Sequence, residues 1–102
     1  MNALLTLHRP AVNDLCRRTH VRRLDAFGSV VRGDFNPATS DLDFLVEFEA
    51  LDPADYANAY FELKEGLEAL FARPVDLVTG DSVVNPYFKA SVEGARQPVY
   101  AG

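Results

Sequence analysis

Apolar positions along the chain follow two periods, and the points where the period changes divide it into elements. Residues 53–71 carry the clearest signal. Tyr56, Ala59, Tyr60, Leu63, Leu67, Leu70 and Phe71 recur at helical spacing, the stripe of an amphipathic helix. Pro53 suits its first turn, Asp52 its N-cap, and Pro74 its stop. Lys64 and the stretch from Glu65 to Glu68 belong to its solvent side. Gly66 in mid-helix costs about 1 kcal/mol and marks close packing. An earlier helix is expected over residues 10–20, opened by Pro10 and striped by Val12, Leu15, Cys16 and Thr19. At Asp41 the period changes to two. Through Phe48 one face reads Leu42, Phe44, Val46, Phe48 and the other Asp41, Asp43, Leu45, Glu47, a strand with one side on a core and a polar site at its N-terminal end.

Shorter strands are expected at 22–27, ended by Gly28, and at 75–79, ended by Gly80. Gly28-Ser29 opens a helical turn from Val30 to Arg32, closed by Gly33, and residues 34–39 read as a loop. A last helix from Pro86 to Glu93, capped by Asn85, precedes an extended piece around Pro98-Val99-Tyr100. The order α-β-(short α)-β-α-β-α predicts an α/β fold: a small mixed sheet of three to four strands with helices on one side or both. At 102 residues the chain is read as one domain, 1–102.

Composition narrows the function classes. Nearly half the residues are hydrophobic and a quarter charged, as in ordinary globular proteins. No apolar run approaches the roughly 20 residues of a membrane helix, and residues 1–9 lack the pattern of a secretory signal. With one cysteine, Cys16, there is no internal disulfide, and a reducing cytoplasm is the natural setting. Cys16 reads as a small core residue. The net charge of −5 is uneven: residues 1–34 carry six arginines against three acids, and residues 35–102 four basic residues against twelve acids. An acidic whole argues against nucleic acid as a direct partner. Arg17, Arg18, Arg22 and Arg23 read either as a solvated helix end or as a face for an acidic protein or a triphosphate. His8 and His20 read as surface residues, and the tyrosines as core or interface.

The chemistry gathers at three points. A glycine after a strand lets a ligand approach with no Cβ in the way, so Gly28-Ser29 suits a phosphate, although the pair alone is common in turns. Asp41 and Asp43 flank Leu42 and point to one face of a strand. Side by side they repel unless a cation lies between them, and hard carboxylate oxygens suit Mg²⁺ or Mn²⁺. The bland alternative is a pair of exposed acids at a strand start. Asp76 tilts the balance, because an acid within Val-Asp-Leu-Val is costly unless partnered. A third carboxylate completes a metal-binding triad or serves as general base.

Together the strings Gly28-Ser29-Val30-Val31-Arg32-Gly33-Asp34, Ser40-Asp41-Leu42-Asp43-Phe44-Leu45-Val46 and Val75-Asp76-Leu77-Val78 resemble the minimal nucleotidyltransferases of the DNA polymerase β superfamily. The fuller form, with Asn85-Pro86-Tyr87-Phe88 and Val99-Tyr100, is similar to the small prokaryotic proteins encoded beside HEPN-domain ribonucleases. The resemblance implies that Gly28, Ser29 and Ser40 hold the nucleotide. It implies that Asp41 and Asp43 bind the metals, and that Asp76 ligates the catalytic metal and activates the acceptor. Arg32 either contacts phosphate or pairs with Asp34. The implied activity is antitoxin chemistry: AMP passes from ATP, with Mg²⁺, to a tyrosine of a HEPN toxin, in a hetero-oligomer with that partner. Two alternatives stay open, neutralisation by binding with little catalysis, and transfer to a small molecule as in aminoglycoside nucleotidyltransferases.

Overall fold

The computed structural model describes residues 3–33, 36, 41–79 and 96–102. In order they form α1 (Ala3–Arg18), β1 (Val21–Phe27), α2 (Ser29–Arg32), β2 (Leu42–Phe48), α3 (Pro53–Phe71), β3 (Val75–Thr79) and β4 (Gln97–Ala101). The strands make one sheet in the order β3-β2-β1-β4. β1 runs antiparallel to β2 and β4, and β2 runs parallel to β3. The α/β class with a small mixed sheet is therefore observed. The helix expected over 86–93 lies outside the described residues.

Cross-strand register assigns the two faces. Leu24, Ala26, Leu42, Phe44, Val46, Val75 and Leu77 bury against Leu5, Val12, Leu15 and Cys16 of α1 and Leu63, Leu67 and Phe71 of α3. Each large side chain taken out of water there contributes about 1.5–3 kcal/mol. Both long described helices thus cover one face. The other face carries Arg23, Asp25, Phe27, Asp43, Leu45, Glu47, Asp76 and Val78, which are paired across the strands. The described part of the fold is a two-layer sandwich with polar groups collected on the layer that these helices leave uncovered.

α3 follows its sequence signals closely. Asp52 caps it, its side chain accepting the Asp55 N–H at 2.8 Å. Phe71 is its last residue, and Ala72 follows in the left-handed region at φ 53°. α1 does not start at Pro10. It begins by Ala3 and carries Pro10 inside. An internal proline costs about 3 kcal/mol. Leu5, 1% exposed and two turns from Val12, ties the extra turns to the core, and His8 sets its ring against Phe71 with centroids 4.9 Å apart. His8 is accordingly half-buried rather than a surface residue. Arg22 and Arg23 lie on β1, as the strand expected over 22–27 has them, and not at a helix end; they pair with Glu47 and Asp25.

The α1–α3 contact explains Gly66. His8 meets Phe71 and Leu15 meets Gly66 while Arg18 faces Glu62, so the helices are antiparallel. A Cβ at Gly66 would lie 2.7 Å from both methyl carbons of Leu15, itself buried and unable to swing aside freely. Gly66→Ala is expected to destabilise by about 1–3 kcal/mol through overpacking. That exceeds the gain of up to about 1 kcal/mol in helix propensity. A urea melt reads the difference, and an unchanged or higher midpoint would contradict the close-packing account.

Candidate active site

Asp43 is the centre of the uncovered face. Its register partner on β1 is Phe27, the residue before Gly28, and its partner on β3 is Asp76. Paired residues of neighbouring strands share a face and stand about 4.8 Å apart. The Asp43 and Asp76 carboxylates therefore rise side by side, within reach of one cation. Asp43 is half-buried and Asp76 exposed. The exposure corrects one expectation, since Asp76 does not need a partner to offset burial. β3 buries Val75 and Leu77 on the helix side and turns Asp76 outward.

Gly28 closes the other side. It has φ 75° and ψ −147°, a conformation open almost only to glycine. A Cβ there would collide with Oδ2 of Asp43, so the bare backbone of Gly28 lies against that carboxylate. Ser29 then starts α2, in which the Val31 N–H donates to the Gly28 carbonyl and the Gly33 N–H to the Ser29 carbonyl, each at 3.1 Å. The N–H groups of Ser29 and Val30 have no intrahelical acceptor. A backbone turn without a side chain thus adjoins Asp43, and Ser29 follows it in the chain.

The remaining expected site residues divide. Asp41 precedes β2 rather than lying in it, and is exposed. The Leu42 N–H donates to the Pro74 carbonyl at 3.3 Å, which fixes the start of β2 beside the start of β3. Among the described residues no three acids, histidines or cysteines converge as a ready metal cage. Asp43 and Asp76 are brought together and Asp41 stands at their edge. This donor set fits Mg²⁺, which is usually held by one or two carboxylates plus substrate phosphates. Ser40 and the side chain of Arg32 lie outside the described residues.

Sequence reasoning missed Asp25. It is 1% exposed on β1, on the same face as Asp43, and its carboxylate meets Nε of Arg23 at 3.1 Å and Nε of Arg96 at 3.4 Å. The sequence signal for it was local, an acid two residues before Phe27 within the expected strand. Asp25, Arg23, Leu45 and Arg96 line a groove of about 470 Å³ that continues past Thr79 to Tyr56 of α3. Cys16 is buried in the core as expected. Burial pushes its thiol up to about 12, with the Arg17 charge pulling the other way, so it remains protonated and is no nucleophile.

Comparison with known proteins identifies the family and agrees with the fold. The sequence pattern of the nucleotidyltransferase domain family matches residues 9–99. The chain is 39% identical over 100 residues to the protein adenylyltransferase MntA of Thermococcus cleftensis, covering 98% of this chain and 91% of that one. A solved structure assigned as a minimal nucleotidyltransferase superposes with a TM-score of 0.74 at 35% identity, covering 92% of this chain and 91% of the other. The MNT antitoxin complex with the tri-AMPylated HEPN toxin of Shewanella oneidensis matches at a TM-score of 0.63 and 22% identity, over 96% of this chain and 73% of that one. At that identity the last likeness speaks for the fold alone. Among the described residues no helix is long and apolar enough to cross a membrane.

Proposed function

This chain belongs to the nucleotidyltransferase domain family, and on that premise we propose that it is an antitoxin that transfers AMP from ATP to a tyrosine of a HEPN-domain toxin, in a complex with that toxin. The observation that carries the reading is Asp43, set between the bare backbone of Gly28 and the registered carboxylate of Asp76. Gly28 and Ser29 hold the triphosphate, and Ser40 and Arg32 are assigned to the nucleotide with them. Asp43 and Asp76, joined by Asp41, would hold Mg²⁺ or Mn²⁺, which supplies charge neutralisation at the phosphates.

The chain's own groups supply position and proton transfer. The acceptor oxygen attacks the α-phosphorus and forms the new O–P bond. The α–β anhydride bond breaks, and pyrophosphate leaves with its electron pair. Asp76, the exposed member of the pair, takes the hydroxyl proton. With α-phosphate-labelled ATP, a purified HEPN partner is expected to take up label when Mg²⁺ is present and none when the metal is chelated. Label that is absent, or independent of metal, would contradict the proposal.

One observation favours a second reading. Residues 1–34 carry six arginines against three acids in an otherwise acidic chain, a split charge that suits neutralisation by binding with little catalysis. A growth assay separates the two. Rescue from the toxin by Asp41→Asn/Asp43→Asn would favour binding, and loss of rescue favours catalysis.

A further inference from the structure

β3 is an edge strand in the described sheet, and the backbone groups on its outer side are not used by β2. In a strand, residues two apart turn their N–H and C=O groups to the same side. Val75 and Leu77 turn theirs outward, and Asp76 between them faces β2. Both outward residues are met by side chains of α3. The Val75 N–H donates to Oε2 of Glu68 at 3.1 Å, and the hydroxyl of Tyr60 donates to the Leu77 carbonyl at 2.6 Å. Glu68 was expected on the solvent side of its helix, but it is half-buried and serves as this acceptor.

We infer that Glu68 and Tyr60 are positioning residues that lock Asp76 opposite Asp43. The inference rests on the proposed role of Asp76. The β2 ladder sets the register of β3, and one bond on each side of Asp76 limits how far the outer edge of β3 lifts from α3 and how the strand rotates about its own axis. Those two freedoms set where the Asp76 carboxylate points. Beside these bonds, Val75 and Leu77 pack against α3, and packing tolerates small shifts that a directional hydrogen bond does not. Carboxylates that share a cation with a substrate must be held to about half an ångström. Neither Glu68 nor Tyr60 touches substrate in this arrangement, because α3 lies on the far side of the sheet.

The test compares Tyr60→Phe, Glu68→Leu and Glu68→Gln with wild type, with Asp76→Asn as reference. Losing an outer-shell partner of this kind lowers metal affinity or activity about 10- to 100-fold. Tyr60→Phe and Glu68→Leu are expected to raise the Mg²⁺ concentration for half-maximal transfer and to lower turnover within that range. Glu68→Gln keeps an acceptor oxygen and is expected to restore wild-type values. Without metal or nucleotide, exchange of the Val75 amide is expected to speed up in Glu68→Leu and not in Glu68→Gln. If Asp76→Asn is inactive while Tyr60→Phe and Glu68→Leu keep wild-type Mg²⁺ dependence and turnover, or if Val75 exchange is unchanged in Glu68→Leu, the lock is overturned. An active Asp76→Asn would overturn the site reading itself, and the lock with it.

Discussion

Asp43→Asn is expected to lower AMP transfer by about 1,000-fold or more, equivalent to about 4 kcal/mol of transition-state stabilisation, while the fold is kept. Asn fills nearly the same volume but cannot serve as an anionic oxygen ligand. Asp43 is half-buried on the uncovered face, away from the apolar layer between sheet and helices, so the core does not register the change. Stability is expected to move the other way from activity. Asp43 stands in register with Asp76, and like charges directly opposite on a sheet cost roughly 0.2–1 kcal/mol. Removing one of them relieves that repulsion. Thermal melts and initial rates on the same sample give both signs. A variant with wild-type rate, or one that loses activity only because it unfolds, would contradict the assignment of Asp43 as a functional carboxylate.

Gly28→Ala is expected to damage both properties together. The backbone at φ 75° and ψ −147° is strained for any residue with a Cβ by about 1–3 kcal/mol. The added methyl also collides with the Asp43 carboxylate. If the carboxylate yields, it leaves the position opposite Asp76, and a displacement near 1 Å costs about 100-fold in rate. If the backbone yields, the turn from β1 into Ser29 shifts instead. Either way, a stability loss of about 2–4 kcal/mol is expected from strain plus overpacking, with a fall in transfer beyond what unfolding explains. Gly33 is the internal control. It also has positive φ, at 91°, but a Cβ there would meet nothing within 4 Å. Gly33→Ala is therefore expected to show the backbone cost without the loss of rate. Equal rates for the two variants would remove the role given to the Gly28–Asp43 contact.

What the sequence disclosed follows from range. α3 and β3 lie where their periodicity and stop signals place them, and β2 differs only by Asp41 at its start. Caps, proline stops and alternation act over a few residues and are written locally. The extra turns of α1 were hidden because Pro10 looks like a start. The burial of Leu5 and the seat of His8 on Phe71 decide otherwise, and Phe71 is remote in sequence. The same holds for the site. The Gly-Ser pair and the acids were readable as residues, but the pairing of Asp43 with Asp76 depends on where α3 returns the chain beside β2. Asp76 was read as an acid in a buried strand, although β3 turns Val75 and Leu77 to the helices and Asp76 to the opposite face. Asp25 and Glu68 were missed as partners for the same reason: Arg96 and the Val75 N–H reach them only through tertiary placement.

The central claim is that these registered acids transfer AMP to a partner protein. Its most direct test is the intact mass of a HEPN-domain partner purified after co-expression with this chain, in wild-type form and as Asp41→Asn/Asp43→Asn. One or more added AMP units with the wild type, and none with the double variant, is the predicted result. An unmodified partner in both samples, or a modified partner in both, would contradict it.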